Sequence, residues 1–423
     1  MRAEIVSVGD ELLKGERVNT NAASIAKALS GIGIPVHRVV DCSDVEGEIA
    51  AALSEALERS EVVLVTGGLG PTKDDRTRQA VQELLHKGLE RSEEAHRALV
   101  ERMKQYGREI SASLAEQAMV IEGALAIPNT RGTAAGMIIR CGERYHDHYL
   151  VLMPGVPSEM KAMMELTVLP YFAQFSSTFI RHTSIKTLGI GESTLEEMIV
   201  DIEEALPEGT TLAYLPHAAG VNLMVSTIGH EREGVDTLNR RVVDAIMERS
   251  GRFIYAIGEK NLEETIGTLL TSAGLRVAVA ESCTGGLVAS RLTDVAGSSA
   301  YFLQGFVVYS NQAKESALGV PKELIDEFGA VSEEVACAMA IGCLQKSGAD
   351  LAVSTTGIAG PSGGSDAKPV GTVCLAIAQK VAGEEPTVHS RRLIMQGDRQ
   401  LNKLRFSEAA LRELWYALRP ETL

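Results

Sequence analysis

Three segments in the last third of the chain carry a candidate nucleophile, a candidate base and candidate anion-binding groups. The first is Glu281-Ser282-Cys283-Thr284-Gly285-Gly286, between the apolar run Val277–Ala280 and a helical stripe starting at Leu287. A serine at such a strand-to-helix turn is held out of the fold on a short, stiff loop. The N–H groups at Thr284, Gly285 and Gly286 then open a helix and suit an anion or a developing oxyanion. The same residues would also serve as an ordinary Ser/Thr cap with packing glycines. The second segment, Phe306–Lys314, carries Tyr309, Asn311 and Lys314. Serine needs a base in contact, and a lysine beside a tyrosine supplies one, by favouring tyrosinate or as a neutral amine when burial lowers its pKa. Ser/Lys and Ser/Tyr/Lys groupings cut amides without histidine, and His389 lies in a charged stretch with no glycine loop. Cys283 is the competing nucleophile, but a residue directly after the strand-end serine should face the opposite side of the turn. The third segment runs from Ser354 to Gly364. Thr356, Gly357, Gly360 and Gly363 allow close backbone approach and offer N–H groups to phosphate. Lys368 and the Gly397-Asp398-Arg399 turn could add positive charge for a nucleotide.

A second group of candidates lies near the N-terminus. Gly9-Asp10 with Asn19-Thr20-Asn21, the run Thr66–Asp75 with Gly67, Gly68 and Gly70, and Met153–Glu159 each follow an apolar run. Asp10, Asp74, Asp75 and Glu159 are carboxylates suited to a hard divalent cation that bridges them to substrate phosphates. Asp74 and Asp75 could instead be first-turn helix acids favoured by the dipole, which leaves the glycine run before them unexplained.

These segments need elements to hold them. Ile5–Val8, Pro35–Val40, Val62–Val65 and Tyr149–Met153 read as strands. Ala22, Ile25, Ala26 and Leu29, and then Val45, Ile49, Leu53 and Leu57, fall on helical faces. That order predicts a parallel sheet with helices on its faces and ligands at the carboxyl ends of the strands. Between Phe172 and Ile257 the pattern becomes a small α+β module, with strands at Thr183–Leu188 and Asn222–Thr227 and helices at Leu195–Ala205 and Val235–Ser250. It is read as a connecting or dimerising unit. Beyond Lys260, strands are expected at Val277–Ala280, Phe306–Tyr309, Leu351–Ser354 and Val373–Ala378, and helices at Leu287–Asp294, Glu333–Lys346 and Arg399–Leu418. The expected fold class is α/β, with two α/β domains of mainly parallel sheets (1–171 and 259–423) joined by a small α+β connector (172–258).

Composition bounds the function. At about 150 residues per domain, 423 residues give two or three domains. Forty glycines with only 4% aromatic residues suit tight-looped α/β folds. The net charge of −15, from 41 Lys+Arg against 56 Asp+Glu, argues against a nucleic-acid surface. No apolar run reaches the roughly 18 residues of a membrane span, and the first residues read as a buried strand rather than a signal peptide. The six cysteines form no CxxC pair, so neither disulfides nor a zinc site is expected, and a cytoplasmic location fits.

The motifs ESCTGG, GFVVYSNQAK, GAVSEE, TTGIAGPSGG and KPVGTV, in that order, resemble the C-terminal domain of the CinA family, which contains nicotinamide-nucleotide amidases. The resemblance implies hydrolysis of the carboxamide of nicotinamide mononucleotide to nicotinic acid mononucleotide and ammonia. It makes Ser282 the nucleophile and Tyr309 with Lys314 its base system, and has Thr356 and its loop position the substrate or oxyanion. GDELLKG and TGGLGPTKDD resemble the molybdopterin-binding-like domain that opens CinA proteins. There the resemblance implies a metal-dependent pyrophosphatase converting ADP-ribose to AMP and ribose 5-phosphate, although relatives of that fold bind molybdopterin. It also implies a KH-like connector. Gly189-Ile190-Gly191-Glu192 is not a GxxG loop, so RNA binding is not expected there. The free strand edges of the connector suggest a homodimer. The alternative is a competence or DNA-damage accessory protein whose N-terminal domain is a pterin- or nucleotide-binding module.

Overall fold

The apolar runs Ile5–Val8, Val62–Val65, Val277–Ala280 and Leu351–Ser354 fold into strands buried on both faces. A computed structural model of the chain describes residues 1–72, 75–107, 110–217 and 220–419. The chain divides into two compact units: Met1–His182 with Thr227–Leu238, and Thr183–Ser226 with Asn239–Leu423.

The first unit carries β1 (Ala3–Val8), β2 (Val36–Cys42), β3 (Val62–Thr66), β4 (Leu89–Arg91), β5 (Met119–Ile121), β6 (Leu125–Ile127), β7 (Gly136–Arg140) and β8 (Tyr149–Met153). Six of them form one sheet in the order β2-β1-β3-β8-β7-β6, and β4 and β5 pair separately. The period-2 alternation of strands divides the buried residues between two cores. Val63 and Val65 face Ile49, Leu53 and Leu57 of the helix Glu46–Arg59, whereas Val62 and Leu64 face Ile25 and Leu29 of the helix Thr20–Ser30.

The chain continues through β9 (Phe179–Thr187), β10 (Thr210–His217), β11 (Gly220–Gly229) and β12 (Ile254–Ile257), the strands of a small sheet ordered β10-β11-β9-β12. The second unit then builds β13 (Val277–Glu281), β14 (Phe302–Val307), β15 (Leu351–Gly357), β16 (Thr372–Gln379) and β17 (Thr387–Ile394), ordered β14-β13-β15-β16-β17. Val277, Val279, Leu351 and Val353 pack on Ile266, Phe406, Leu414 and Trp415. Ala278, Ala280 and Ala352 pack on Val335, Met339 and Cys343.

Two expectations change. The sheets are mixed rather than mainly parallel. β2, β1, β3 and β8 run parallel, as do β14, β13 and β15, but β7 in the first sheet pairs antiparallel with both β8 and β6, and β16 in the second pairs antiparallel with both β15 and β17. β17 left no apolar signal because it is a largely exposed edge strand carrying His389, Arg391 and Arg392. The strand expected at Phe306–Tyr309 instead ends at Val307. Val308 N–H still bonds to Glu281 O, but Tyr309 and Ser310 have already turned towards the helix Asn311–Leu318.

The strand order places the clefts. From β13 the chain crosses to β14 on one side and later returns as β15 on the other. From β1 it crosses to β2 and returns as β3. The carboxyl ends of the strands at such a reversal leave a crevice between diverging loops. Ser282 and Thr356 flank one crevice, and Gly9 and Gly67 the other.

The helix Asn311–Leu318 is set at its far end by Gly342, which packs its bare backbone against the Leu318 carbonyl. A Cβ at 342 would collide with that carbonyl. Gly342→Ala should therefore destabilise the protein by about 1–3 kcal/mol despite the roughly 1 kcal/mol of helix propensity it gains. A lowered urea midpoint checks this, and an unchanged or raised midpoint contradicts it.

Candidate active site

In the second unit, burial brings Ser282 and Lys314 together. Ser282 continues β13 by donating its N–H to Thr355 O (2.9 Å), and the hydroxyl stands above the end of the strand. Lys314 lies one turn into the helix Asn311–Leu318, whose start is capped by Ser310 Oγ accepting from Ala313 N–H. Its side chain is 2% exposed. Nζ has three neighbours: Ser282 Oγ at 3.1 Å, Val308 O at 3.2 Å and Tyr309 O at 3.4 Å. Burial pulls the Lys314 pKa down from the ordinary lysine value. A neutral amine has two N–H groups and one lone pair. As it stands Nζ donates to all three; when the amine is neutral, the two carbonyls, which can only accept, take its N–H groups and its lone pair faces the serine hydroxyl. That is the geometry of a general base on its nucleophile.

Around this pair is a cleft of about 220 Å³ lined by Ser282, Cys283, Tyr309, Asn311, Lys314, Ala330, Val331, Thr356, Gly357, Ala359 and Arg399. Several expected residues sit elsewhere than the sequence suggests. The Tyr309 hydroxyl touches neither Ser282 nor Lys314. The side chain is 64% exposed at the rim, and its hydroxyl accepts from Arg399 Nη2 at 3.1 Å. Arg399 also donates through Nη1 to Gly360 O at 2.7 Å, which ties the glycine loop to the cleft although Gly360 and Gly363 do not line it. The buried Thr356 hydroxyl is committed to Ala330 O at 2.6 Å, so it shapes the wall. Gly357 is needed for packing, because a Cβ there would press on Thr372 O and on Cys283 Sγ. Lys368 points away, with Nζ on Phe328 O at 2.6 Å. Cys283 is buried and its thiol is pushed up to about 12 by desolvation, so it is a poor source of thiolate.

Of the N–H groups expected to form an anion site after Ser282, that of Gly286 is already used. The N–H groups of Gly286, Val288 and Ala289 all donate to the Glu281 carboxylate, and Thr284 Oγ1 is 2.7 Å from Thr355 Oγ1. Gly285 and Gly286 are required by positive φ (+63° and +97°). Glu281 was not singled out from the sequence, where it reads only as the last residue of a buried strand.

In the first unit a larger cleft of about 610 Å³ lies at the ends of β1, β3 and β8. Glu11, Arg17, Asp44, Asp75 and Glu159 are its charged lining residues among those described. Gly67 and Gly68 adopt φ of +104° and +66°, and Cβ atoms there would meet Val8 O and Thr77 Oγ1. Gly70 lies against the Asp75 carboxylate. Asp75 Oδ2 accepts from Thr72 N–H (2.9 Å) and Thr72 Oγ1 (2.6 Å). Glu159 Oε2 accepts from Asn129 Nδ2 at 2.7 Å. Asp10 does not face this cleft. Its carboxylate is held by Lys14 Nζ at 3.0 Å and by the Asp44 N–H, which keep its pKa below the ordinary value. Asp74 lies outside the described residues. Among the described residues, no group of three or more His, Cys, Asp or Glu is close enough to hold a metal ion. Asp75 and Glu159 each have a second carboxylate oxygen, which suits an ion that takes one or two protein carboxylates and fills its other positions with phosphate and water. Arg17, missed in the sequence, lies two residues beyond the GDELLKG motif. Among the described residues no helix is long and apolar enough to cross a membrane.

Comparison with known proteins gives three consecutive family matches: "Probable molybdopterin binding domain" over residues 4–174, "Damage-inducible protein CinA KH domain" over 182–256 and "CinA C-terminal domain" over 259–418. A CinA-like protein of Chlorobium luteolum is 63% identical over 421 residues, covering 100% of this chain and 98% of its own. One from Chlorobaculum tepidum is 58% identical, covering 99% of each. Among solved structures, the competence/damage inducible protein CihA of Agrobacterium tumefaciens is 46% identical over 37% of this chain and 93% of its own, with a TM-score of 0.35. CinA of Thermoplasma acidophilum is 36% identical over 39% and 94%, also at 0.35.

The buried amine makes stability depend on pH. Between its lowered folded value and the ordinary value of 10.5, the unfolded chain protonates Lys314 while the folded chain does not, so stability rises with pH across that window. Lys314→Met removes this dependence. Its stability relative to the wild type should therefore fall as pH rises, by up to about 1.4 kcal/mol per pH unit, when urea midpoints are compared through the window. A pH-independent difference would contradict a neutral amine.

Proposed function

The chain belongs to the CinA family, and from that premise we propose that its second unit is an amidase acting on the carboxamide of nicotinamide mononucleotide. The observation that supports this most is the buried Lys314 amine on the Ser282 hydroxyl, opening onto a cleft. Ser282 Oγ attacks the carboxamide carbon while its proton passes to Lys314 Nζ. The tetrahedral adduct collapses with cleavage of the C–N bond, the proton moves from Nζ to the departing nitrogen, and ammonia leaves an acyl ester on Ser282. Water then gives a proton to Nζ as it attacks the ester. Oγ departs and takes that proton back, and nicotinic acid mononucleotide is released. Lys314 is thus the base. Tyr309 takes part through Arg399, whose guanidinium is the cation placed to meet the substrate phosphate. Asn311 and the Gly357 backbone line the rest of the cleft.

For the first unit we propose cleavage of the ADP-ribose diphosphate to AMP and ribose 5-phosphate. Asp75 and Glu159 would hold a divalent cation, which supplies charge neutralisation at the phosphates and polarisation of the P–O bond. The chain's own part is the glycine run, which admits the diphosphate close to the backbone, and Arg17, which offers a guanidinium among four carboxylates. Both substrates are breakdown products of one dinucleotide, which gives the fusion a chemical rationale.

The match to a domain described as that of a damage-inducible protein favours a second reading, a competence or DNA-damage accessory protein whose first unit binds a pterin or nucleotide. It calls for a nucleic-acid face, at odds with the acidic chain. The two readings separate in a DNA titration over a range of salt concentrations. Tight binding that weakens steeply with salt supports the accessory role, and its absence supports the enzyme.

In the full chain, Ser282→Ala should lower ammonia release from nicotinamide mononucleotide by at least about 10³-fold and leave AMP formation from ADP-ribose intact. Glu159→Gln should do the reverse. A chelator should stop the second reaction and spare the first. Ammonia release that persists in Ser282→Ala would remove the serine from its role.

A further inference from the structure

The turn that presents Ser282 is anchored by the residue before it. Glu281 ends β13 and is 1% exposed. Its Oε2 accepts from Gly286 N–H at 2.9 Å and Val288 N–H at 3.1 Å, and its Oε1 accepts from Ala289 N–H at 2.8 Å. The helix Leu287–Thr293 has no side-chain cap at its own N-cap, Gly286, so the carboxylate arriving from the strand satisfies its opening donors. A buried carboxylate is costly unless its oxygens are hydrogen-bonded, and here three donors meet it. The outcome is a closed loop. The chain leaves β13 at Glu281, passes Ser282, reverses through Gly285 and Gly286, and is pinned back onto Glu281. On its other side Ser282 is pinned to Thr355.

We infer that Glu281 is a positioning residue for the nucleophile: by clamping the turn it fixes Ser282 Oγ on the Lys314 amine. This rests on the amidase reading and adds a residue to it. Glu281 does not act on the amine itself. Lys314 is set by burial, with Cys283 the ionisable neighbour that bears on it. Nor does Glu281 reach the cleft, which it does not line. Glutamine keeps the shape but turns an NH₂ towards at least one of the three N–H donors. Aspartate keeps the charge but is one methylene too short to serve all three.

The test compares full-length wild type, Glu281→Gln and Glu281→Asp. In Glu281→Gln, kcat on nicotinamide mononucleotide should fall about 10- to 100-fold, the scale of a misplacement of about 1 Å. KM should stay within about twofold, and the acid limb of the pH–rate profile should not move. Glu281→Asp should lie between. A readout free of substrate is the rate at which a fluorophosphonate probe labels Ser282, in which the Oγ–P bond forms, fluoride leaves and the hydroxyl proton passes to Lys314. That rate should drop by the same factors. A raised KM at unchanged kcat, a displaced acid limb, or wild-type labelling in Glu281→Gln overturns the inference. The single tryptophan, Trp415, is buried in the core of this unit and reports folding. Should Glu281→Gln be unfolded by its fluorescence, Glu281→Asp decides on the same readouts, and if both are unfolded the carboxylate is a folding determinant and the inference falls. Wild type that labels at Ser282 but releases no ammonia overturns the amidase reading alone, whereas wild type that fails to label overturns this inference.

Discussion

Taking a lysine amine out of water disfavours its charged form unless an anion is beside it, and no carboxylate lies within bonding distance of Lys314 Nζ among its described partners. The organisation of the second unit follows from that constraint. Two backbone carbonyls of the segment between β14 and the following helix fix where the N–H groups point, and the serine receives what is left. The helix that carries the lysine is started by Ser310 and stopped by Gly319 at φ +71°. Its last carbonyl rests on Gly342, so the amine is positioned by a backbone-to-backbone contact at the end of its own helix. The serine is positioned independently, by a strand and a buried carboxylate. Two rigid supports therefore converge on one hydrogen bond.

Both units solve the same geometric problem with different residues. Each has a central strand whose neighbours on either side come from opposite directions along the chain, and each opens its cleft there. Glycines whose Cβ atoms would strike a backbone or side-chain neighbour line both openings: Gly67 and Gly68, at positive φ, in one, and Gly357, against the Thr372 carbonyl, in the other. The electrostatics differ. The first cleft is lined by four carboxylates and one arginine among the described residues, the charge balance that the proposed cation would offset. The second is lined by a lysine and an arginine. That contrast follows from the side chains of the loops and not from the sheets beneath them.

Much of this was legible in the sequence, and what was not has identifiable causes. The buried strands were found because they are continuous apolar runs. Ser282 and Lys314 were found because a strand-end serine and a lysine after a second strand end are unusual placements. β17 was invisible because an exposed edge strand needs no apolar face, and the antiparallel direction of β7 and β16 is set by connections that leave no mark in periodicity. Tyr309 was assigned to the wrong partner for a related reason. The segment was read as strand to Tyr309, which would aim the ring along the sheet, whereas the strand stops two residues earlier and releases the tyrosine to the rim. Asp10 sits beside the right loop but turns towards Lys14, four residues on, where a helical neighbour outcompetes the cleft. Asn129, which holds Glu159, and Glu281 are polar residues whose partners lie on other segments, and pattern reading has no purchase on such pairs.

Arg399 begins its helix with both ends of the guanidinium already engaged, one on the Tyr309 hydroxyl and one on the Gly360 carbonyl. Any molecule that draws on this arginine must displace neutral acceptors, so occupancy is an exchange of partners and not a simple gain. A neutral group offers nothing better than what is surrendered, whereas a charged oxygen makes a stronger bond than either. On the proposed reading the resting bridge would work as a threshold, discounting uncharged look-alikes before any chemistry begins.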